Sequence, residues 1–292
     1  MFEAVIFDWD GTLADTKDLV LTSFRKALED LPIEVDEKLI KSLMGKRAKE
    51  IFYAVVQRSG MSVNEDIINE LVAKRVEAEL ELGSCVELRD GALDLLSSLK
   101  VKVKLALASM NNKQVIENML NSCGLKDFFD VVLSADEVSE PKPDPEIFLK
   151  CASKLRLKPA IIVVVEDSTF GVRAAKAANM NCIAVISGVS DRNELELEKP
   201  DLIIGSVKEK EKNSEIRAQL KKMNPILNGV IVCVEHVKNA RYVLANYSLW
   251  VEHVCTQEQV EISPATPSFS WKICGFGNRK NKNETALIFL GS

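Results

Sequence analysis

Six short apolar runs recur along the chain with helical stretches among them: EAVIF (3–7), KVKLALA (102–108), DVVLS (130–134), AIIVVVE (160–166), CIAVI (182–186) and DLIIG (201–205). Runs this brief and this continuously apolar, rich in Val and Ile, suit strands buried on both faces. Parallel strands joined by helical crossovers are the arrangement that buries them so. The pattern therefore predicts an α/β fold, a doubly wound parallel sheet of Rossmann-like type. Helix starts are legible too: Asp144 as N-cap with Pro145 at the first helical position, and Ser168 ahead of TFGVRAAKAA. Ligands of such sheets bind outside the carboxyl ends of the strands, where Asp8, Ser109 and Asp167 all fall.

The interval between residues 7 and 102 is far longer than one crossover helix needs and holds no convincing strand. Leu19, Phe24, Ala27, Leu28 and Leu31 recur at helical spacing within 16–31, as do Ile68, Leu71, Val72 and Val76 within 64–82. Ser62 followed by Glu65 reads as a capping box for the second of these helices. Residues 16–87 are therefore expected to be an inserted all-helical cap over the strand ends, and 1–15 with 88–206 the core. Residues 207–292 are expected to be a linker and C-terminal extension. Strand-like stretches from 229 onward, with both histidines (His236, His253), predict a small C-terminal β-rich appendage of unassigned role.

Composition narrows the class. Of 292 residues, 47% are hydrophobic and 28% charged, with a net charge of −5, which fits a globular protein and gives no concentrated basic face for nucleic acid or an anionic membrane. The seven cysteines (Cys85, Cys123, Cys151, Cys182, Cys233, Cys255, Cys274) form no C-x-x-C pair, so buried thiols in a reducing cytosol are expected rather than a zinc site or a disulfide framework. The N-terminus lacks a signal-peptide pattern and no apolar run has the length of a membrane span, so the expected location is cytoplasmic.

Directly behind the first apolar run stands FDWDGTLADT (7–16). Asp8 and Asp10, two residues apart at a strand mouth, repel one another, and each raises the other's pKa, so a cation or a reaction must offset the cost. Three further segments lie at or near strand ends: Ser109 in LALASMNN, Lys142 in EPKPDP, and Glu166–Asp167 in VVVEDSTFG. Taken singly each is ordinary, a strand-end serine, a surface lysine, a pair of helix N-terminal acids. A calcium loop would want its glycine sixth after a helix, whereas Gly11 is fourth after a strand.

Together, in this order and spacing, the four segments resemble the four motifs of the haloacid dehalogenase superfamily. The cap position resembles the phosphatase and β-phosphoglucomutase-like branch, and the resemblance covers roughly residues 1–206. The chemistry it implies is sound in its own terms. Asp8 would attack phosphorus and form an aspartyl-phosphate, splitting one hard step into two. Asp10 would donate a proton to the leaving oxygen and later take one from water. Ser109 and Lys142 would bind and neutralise the phosphoryl group. Gly11 and Thr12 would turn backbone N–H groups toward it as an anion nest. Asp8, Asp167 and the backbone carbonyl of Asp10 would hold Mg²⁺, with Glu166 behind them or reaching the ion through water.

Dehalogenases lack an aspartate at the position of Asp10, and phosphonoacetaldehyde hydrolases carry alanine there, so Asp10 favours phosphate esters. Sugar phosphomutases of this branch carry a histidine five residues after the aspartate matching Asp15, where this chain has Val20. Hydrolysis of a small phosphorylated metabolite is therefore the expected activity, with a mutase as the alternative. The cap loop LMGKRAKE (43–50) could bring Lys46, Arg47 or Lys49 to a substrate carboxylate or hydroxyls, or be a solvated helix start; Asn111 is a further candidate for substrate binding. Two non-enzymatic readings stand beside these. A phospho-aspartate switch would place its acceptor after the third strand and carry no large cap. A binding or assembly protein built on the tail would not need the four intact motifs. The expected partner is a small molecule, for a monomer or small homo-oligomer.

Overall fold

The computed structural model describes residues 2–83 and 86–204. The expected appendage within 207–292, with His236 and His253, lies outside the described residues. The first half of the chain forms β1 (Ala4–Phe7), β2 (Ala14–Asp15), α1 (Lys17–Leu28), α2 (Glu37–Leu43), α3 (Ala48–Arg58), α4 (Glu65–Leu82), β3 (Glu87–Leu88) and α5 (Ala92–Lys100). It continues through β4 (Lys104–Ala108), α6 (Lys113–Ser122), β5 (Val131–Leu133), α7 (Glu146–Leu155), β6 (Ile162–Glu166), α8 (Thr169–Ala177), β7 (Asn181–Val185), α9 (Arg192–Leu197) and β8 (Leu202–Ile204).

The six predicted runs are the six strands of one parallel sheet, ordered β5-β4-β1-β6-β7-β8. Side chains alternate across it. Val5, Phe7, Leu105, Leu107, Val163 and Val165 face one core with α5 and α6, while Ala4, Ile6, Ala106, Ala108, Ile162 and Val164 face the other with α7 and α8. Both faces are dry, which is why these strands read as unbroken apolar runs. The chain winds outward from β1 to β4 and β5, then returns to β6 on the opposite side of β1. That reversal leaves a crevice at the carboxyl ends of β1 and β6, so the topology alone sets Asp8 and Asp167 side by side.

Helices α1–α4 surround a third core of Phe24, Leu28, Ile40, Phe52, Val56 and Ile68, with the Phe24 and Phe52 rings 4.8 Å apart. The insertion is anchored by a feature the sequence reading missed, an antiparallel ribbon in which Ala14 pairs with Leu88 and Asp15 with Glu87. Two-residue strands carry no periodicity. Two helix starts also differ. The N-cap of α4 is Asn64, accepting from the Ile67 N–H at 2.8 Å, rather than Ser62. In α7 the cap position is Pro145, while the Asp144 carboxylate accepts the Glu146 N–H at 2.9 Å. Ser168 caps α8 as expected. Among the described residues Cys151 and Cys182 are free and buried, whereas Cys123 is free and only half-buried, and no helix among them is long and apolar enough to cross a membrane.

Candidate active site

Lys142 organises the crevice. Its side chain is fully buried, and its ammonium donates to Oδ1 of Asp8 at 2.7 Å, Oε1 of Glu166 at 2.6 Å and the Ala108 carbonyl at 3.1 Å. A buried ammonium is tolerated only when its donors are met in this way. Burial by itself would lower its pKa, but the Asp8 and Glu166 carboxylates outweigh that and hold it raised, so the charge is fixed.

Both oxygens of Glu166 are committed: Oε1 to Lys142, and Oε2 to the N–H groups of Asp167 and Ser168 and the Ser168 hydroxyl. A Cβ on Gly171 would fall 1.9 Å from this carboxylate, so the first turn of α8 has been hollowed out to receive it. Asp167 accepts from the Thr12 hydroxyl on Oδ1 at 3.2 Å and from the Val189 N–H on Oδ2 at 3.1 Å. Burial, with Glu166 beside it, pushes Asp167 up to about 7, against the pull of the Val189 N–H and Lys142. Asp8 is raised well above the ordinary carboxylate range, first by burial and then by Glu166, Asp167 and Asp10, with Lys142 opposing.

Buried carboxylates gathered this closely would be held in their charged form by a cation among them. Asp8, Glu166 and Asp167 each offer an oxygen within 4.8 Å of the others. An all-oxygen, anionic donor set suits a hard ion such as Mg²⁺.

Asp10 lies on the opposite flank of Asp8, toward the cap. Its Oδ2 accepts from the Ser109 hydroxyl at 3.4 Å, and its Oδ1 is buried without a hydrogen bond. Burial raises it, while the Thr16 hydroxyl and the Arg75 charge pull it down. The Ser109 oxygen in turn accepts from the Asn111 N–H at 3.0 Å.

The anion-nest expectation is corrected at two positions. The Gly11 N–H donates to the Ala14 carbonyl and the Thr12 N–H to the Trp9 carbonyl, because the turn after β1 closes on itself with Gly11 at φ 83°. Thr12 contributes its hydroxyl instead.

The cap expectations divide. Lys46 stands over the Phe170 ring at 4.8 Å and, with Glu50, borders a cleft of about 440 Å³ whose other wall is Glu140–Pro145, which includes Lys142. Arg47 does not face this cleft as a free cation. Its guanidinium donates to the Val138 and Ser139 carbonyls of the core at 2.9–3.2 Å. Lys49 pairs with Glu65 inside the cap. Asn111 is buried, its side chain engaged by Arg75 and Glu79 of α4. Those last two were missed, because an Arg–Glu pair one turn apart reads as a solvated helix face. A larger depression of about 670 Å³ runs beside α4 along Val72, Val76 and Leu80 to Asn112.

The family model described as haloacid dehalogenase-like hydrolase matches residues 5–185. A phosphorylated carbohydrates phosphatase of Thermotoga maritima is 32% identical over 217 residues, spanning 71% of this chain and 99% of that protein. A fructose-1-phosphate phosphatase of Escherichia coli is 29% identical over 184 residues, 63% of this chain and 96% of that one. Among solved structures, β-phosphoglucomutase from Clostridium difficile superposes with a TM-score of 0.63 at 29% identity, covering 76% of this chain and 98% of that one.

Proposed function

The chain belongs to the haloacid dehalogenase-like hydrolases, and from that premise we propose that it is a phosphoric monoester hydrolase acting on a small phosphorylated carbohydrate in the cytoplasm. The observation that carries the reading is the convergence of Asp8, Asp10, Ser109, Lys142 and Asp167 at the ends of β1, β4 and β6 beneath the helical insertion. The division into a core of 1–15 and 88–206 and a cap of 16–87 is part of the same proposal. So is the use of Lys46 and Glu50 to contact the sugar.

In the first step an oxygen of Asp8 bonds to phosphorus as the bond to the ester oxygen breaks, and Asp10 gives its proton to that departing oxygen. In the second, Asp10 takes a proton from water as the water oxygen attacks phosphorus and the bond to Asp8 breaks, releasing phosphate. Lys142 fixes Oδ1 of Asp8 and adds positive charge beside the phosphoryl group, while the Ser109 hydroxyl donates to Oδ2 of Asp10. Asp8, Asp167 and the Asp10 carbonyl would hold Mg²⁺, which when bound supplies neutralising charge for phosphoryl oxygens. Glu166 serves as the anchor of Lys142.

Hydrolysis is favoured over a sugar phosphomutase by Val20. It lies buried in the cap's own core, at the position where the resemblance to such mutases would place a catalytic histidine.

A panel of sugar, polyol and hydroxy-acid phosphates, assayed for phosphate release with Mg²⁺ or EDTA, tests the proposal. Release of phosphate from at least one sugar phosphate, abolished by EDTA, is expected. Isomerised sugar phosphate without phosphate release would select the mutase, and no turnover of any ester would overturn the hydrolase reading.

A further inference from the structure

Arg75 and Glu79 form an ion pair at 2.6 Å on α4, with side chains 7% and 0% exposed. The guanidinium lies over the Phe24 ring at 4.6 Å. An exposed pair of this spacing contributes little to stability, whereas taking both charges out of water is costly. If the pair only joined helices, two apolar side chains would do so at less cost.

The pair does not close on itself. Oε1 of Glu79 accepts from Asn111 Nδ2 at 3.4 Å, and Nη1 of Arg75 donates to Asn111 Oδ1 at 3.5 Å. From Asn111 the contacts continue through its N–H to the Ser109 oxygen and through the Ser109 hydroxyl to Oδ2 of Asp10. Nε of Arg75, Oε2 of Glu79 and Oδ1 of Asp10, all on this path, are buried without hydrogen bonds. The two ends also feel each other. Burial pushes Glu79 up to about 7, Arg75 opposes that, and the charge of Asp10 adds to it.

We propose that Arg75 and Glu79 are positioning residues for proton delivery: carried by the cap's last helix, they hold Asn111 and, through Ser109, fix the carboxyl of Asp10 toward the ester oxygen. The inference rests on the phosphatase reading above. Neither residue touches a reacting atom. Lys142 holds Asp8 independently of this chain of contacts, so loss of the pair weakens protonation of the leaving oxygen and spares attack by Asp8.

The test is a single-turnover comparison, on the full chain with Mg²⁺, of the sugar phosphate cleaved fastest in the panel and 4-nitrophenyl phosphate, whose leaving group departs without a proton. Glu79→Gln is expected to slow alcohol release from the sugar phosphate by at least about tenfold, part of the ~10²–10⁴ that a positioned acid contributes. Nitrophenol release should change less than about twofold. Arg75→Lys, which keeps a cationic donor, should lose less than Arg75→Met. The double variant Arg75→Met with Glu79→Met leaves no unpaired buried charge and should stay folded, by circular dichroism and thermal melting, while showing the same split. Equal losses on both substrates, or a folded double variant with the wild-type sugar phosphate rate, would overturn the inference. A wild-type chain that cleaves neither ester would overturn the phosphatase reading instead.

Discussion

A Cβ built on Gly188 would lie 1.5 Å from Oδ2 of Asp167 and 2.6 Å from its Cβ. The loop after β7 is therefore pressed against this carboxylate from outside, and Gly11 closes on the same oxygen from the turn after β1, at 2.4 Å by the same measure. Asp167 occupies a slot that two backbones form and that only glycines leave open. Gly188→Ala should evict the carboxylate, breaking its bonds to Thr12 and Val189, while the sheet, whose strands β6 and β7 end at Glu166 and Val185, stays folded. We expect kcat/KM to fall by about 100-fold and half-saturating Mg²⁺ to rise by at least about tenfold, the scale of lost support to a metal ligand. Calorimetric Mg²⁺ titration and steady-state assays measure both. Wild-type Mg²⁺ dependence in a folded Gly188→Ala protein would remove Asp167 from the metal site.

The buried carboxylates also set a sign for stability against pH. Asp167 and Glu79 are both pushed up to about 7, and Asp8 and Asp10 are raised as well, all chiefly by burial. Between about pH 4 and about 7 the native state keeps protons that the unfolded chain has released. Stability of the metal-free protein should accordingly be greatest at the acidic end of that window and fall as pH rises through about 7. Glu146, held down to about 2 by the Glu140 N–H and Lys150, works in the opposite sense, and chiefly below about pH 4.5. Denaturant midpoints in EDTA should be higher near pH 5.5 than near pH 7.5, and Mg²⁺ should shrink the difference by binding the deprotonated form. A midpoint that rises with pH in EDTA would contradict the assignment.

What the sequence disclosed and what it withheld have separable physical causes. The strands were legible because burial on both faces demands unbroken Val and Ile, and Asp8, Ser109 and Asp167 because strand ends are where a doubly wound sheet exposes chemistry. Arg47 was not: its carbonyl partners Val138 and Ser139 lie 91 and 92 residues away, and nothing local marks a guanidinium that will cross from insertion to core. The turn at Gly11 misled for the opposite reason. A glycine followed by threonine suits an anion nest, but Ala14 closed the turn and took the Gly11 N–H. Glu79 was hidden because its neighbours on α4 are as charged as it is, and only packing against α1 and Asn111 buries it.

Arg47 makes three hydrogen bonds to the Val138 and Ser139 carbonyls, and these contacts fasten the α2–α3 loop over the crevice. Contacts of this kind hold the loop in place by about 1–2 kcal/mol, given the solvent around them. Arg47→Ala should then raise KM by about 5–30-fold while changing kcat little, since substrate binding must supply the energy that orders the loop. The increase should be the same for every ester in the panel. A residue that touches the sugar would reorder the panel, and such a reordering would return Arg47 to the substrate-binding role expected of it from sequence.

The division of labour between Asp8 and Asp10 admits the sharpest test. Asp8→Asn should abolish turnover and phosphoenzyme together, because a carboxamide does not attack phosphorus. Asp10→Asn should differ in kind. It keeps the side-chain shape and the backbone carbonyl but takes no proton from water, so hydrolysis of the aspartyl-phosphate should slow by about 10²–10⁴-fold. With an aryl or acyl phosphate, whose leaving group needs little protonation, the first step should survive. Acid-quenched Asp10→Asn protein should then carry phosphate on Asp8, detected by mass in a peptide spanning β1. The Ser109 hydroxyl, which donates to Asp10 at 3.4 Å, is the competing acceptor within reach. Phosphate recovered on Ser109, or turnover by Asp10→Asn equal to wild type, would reverse the roles assigned to these residues.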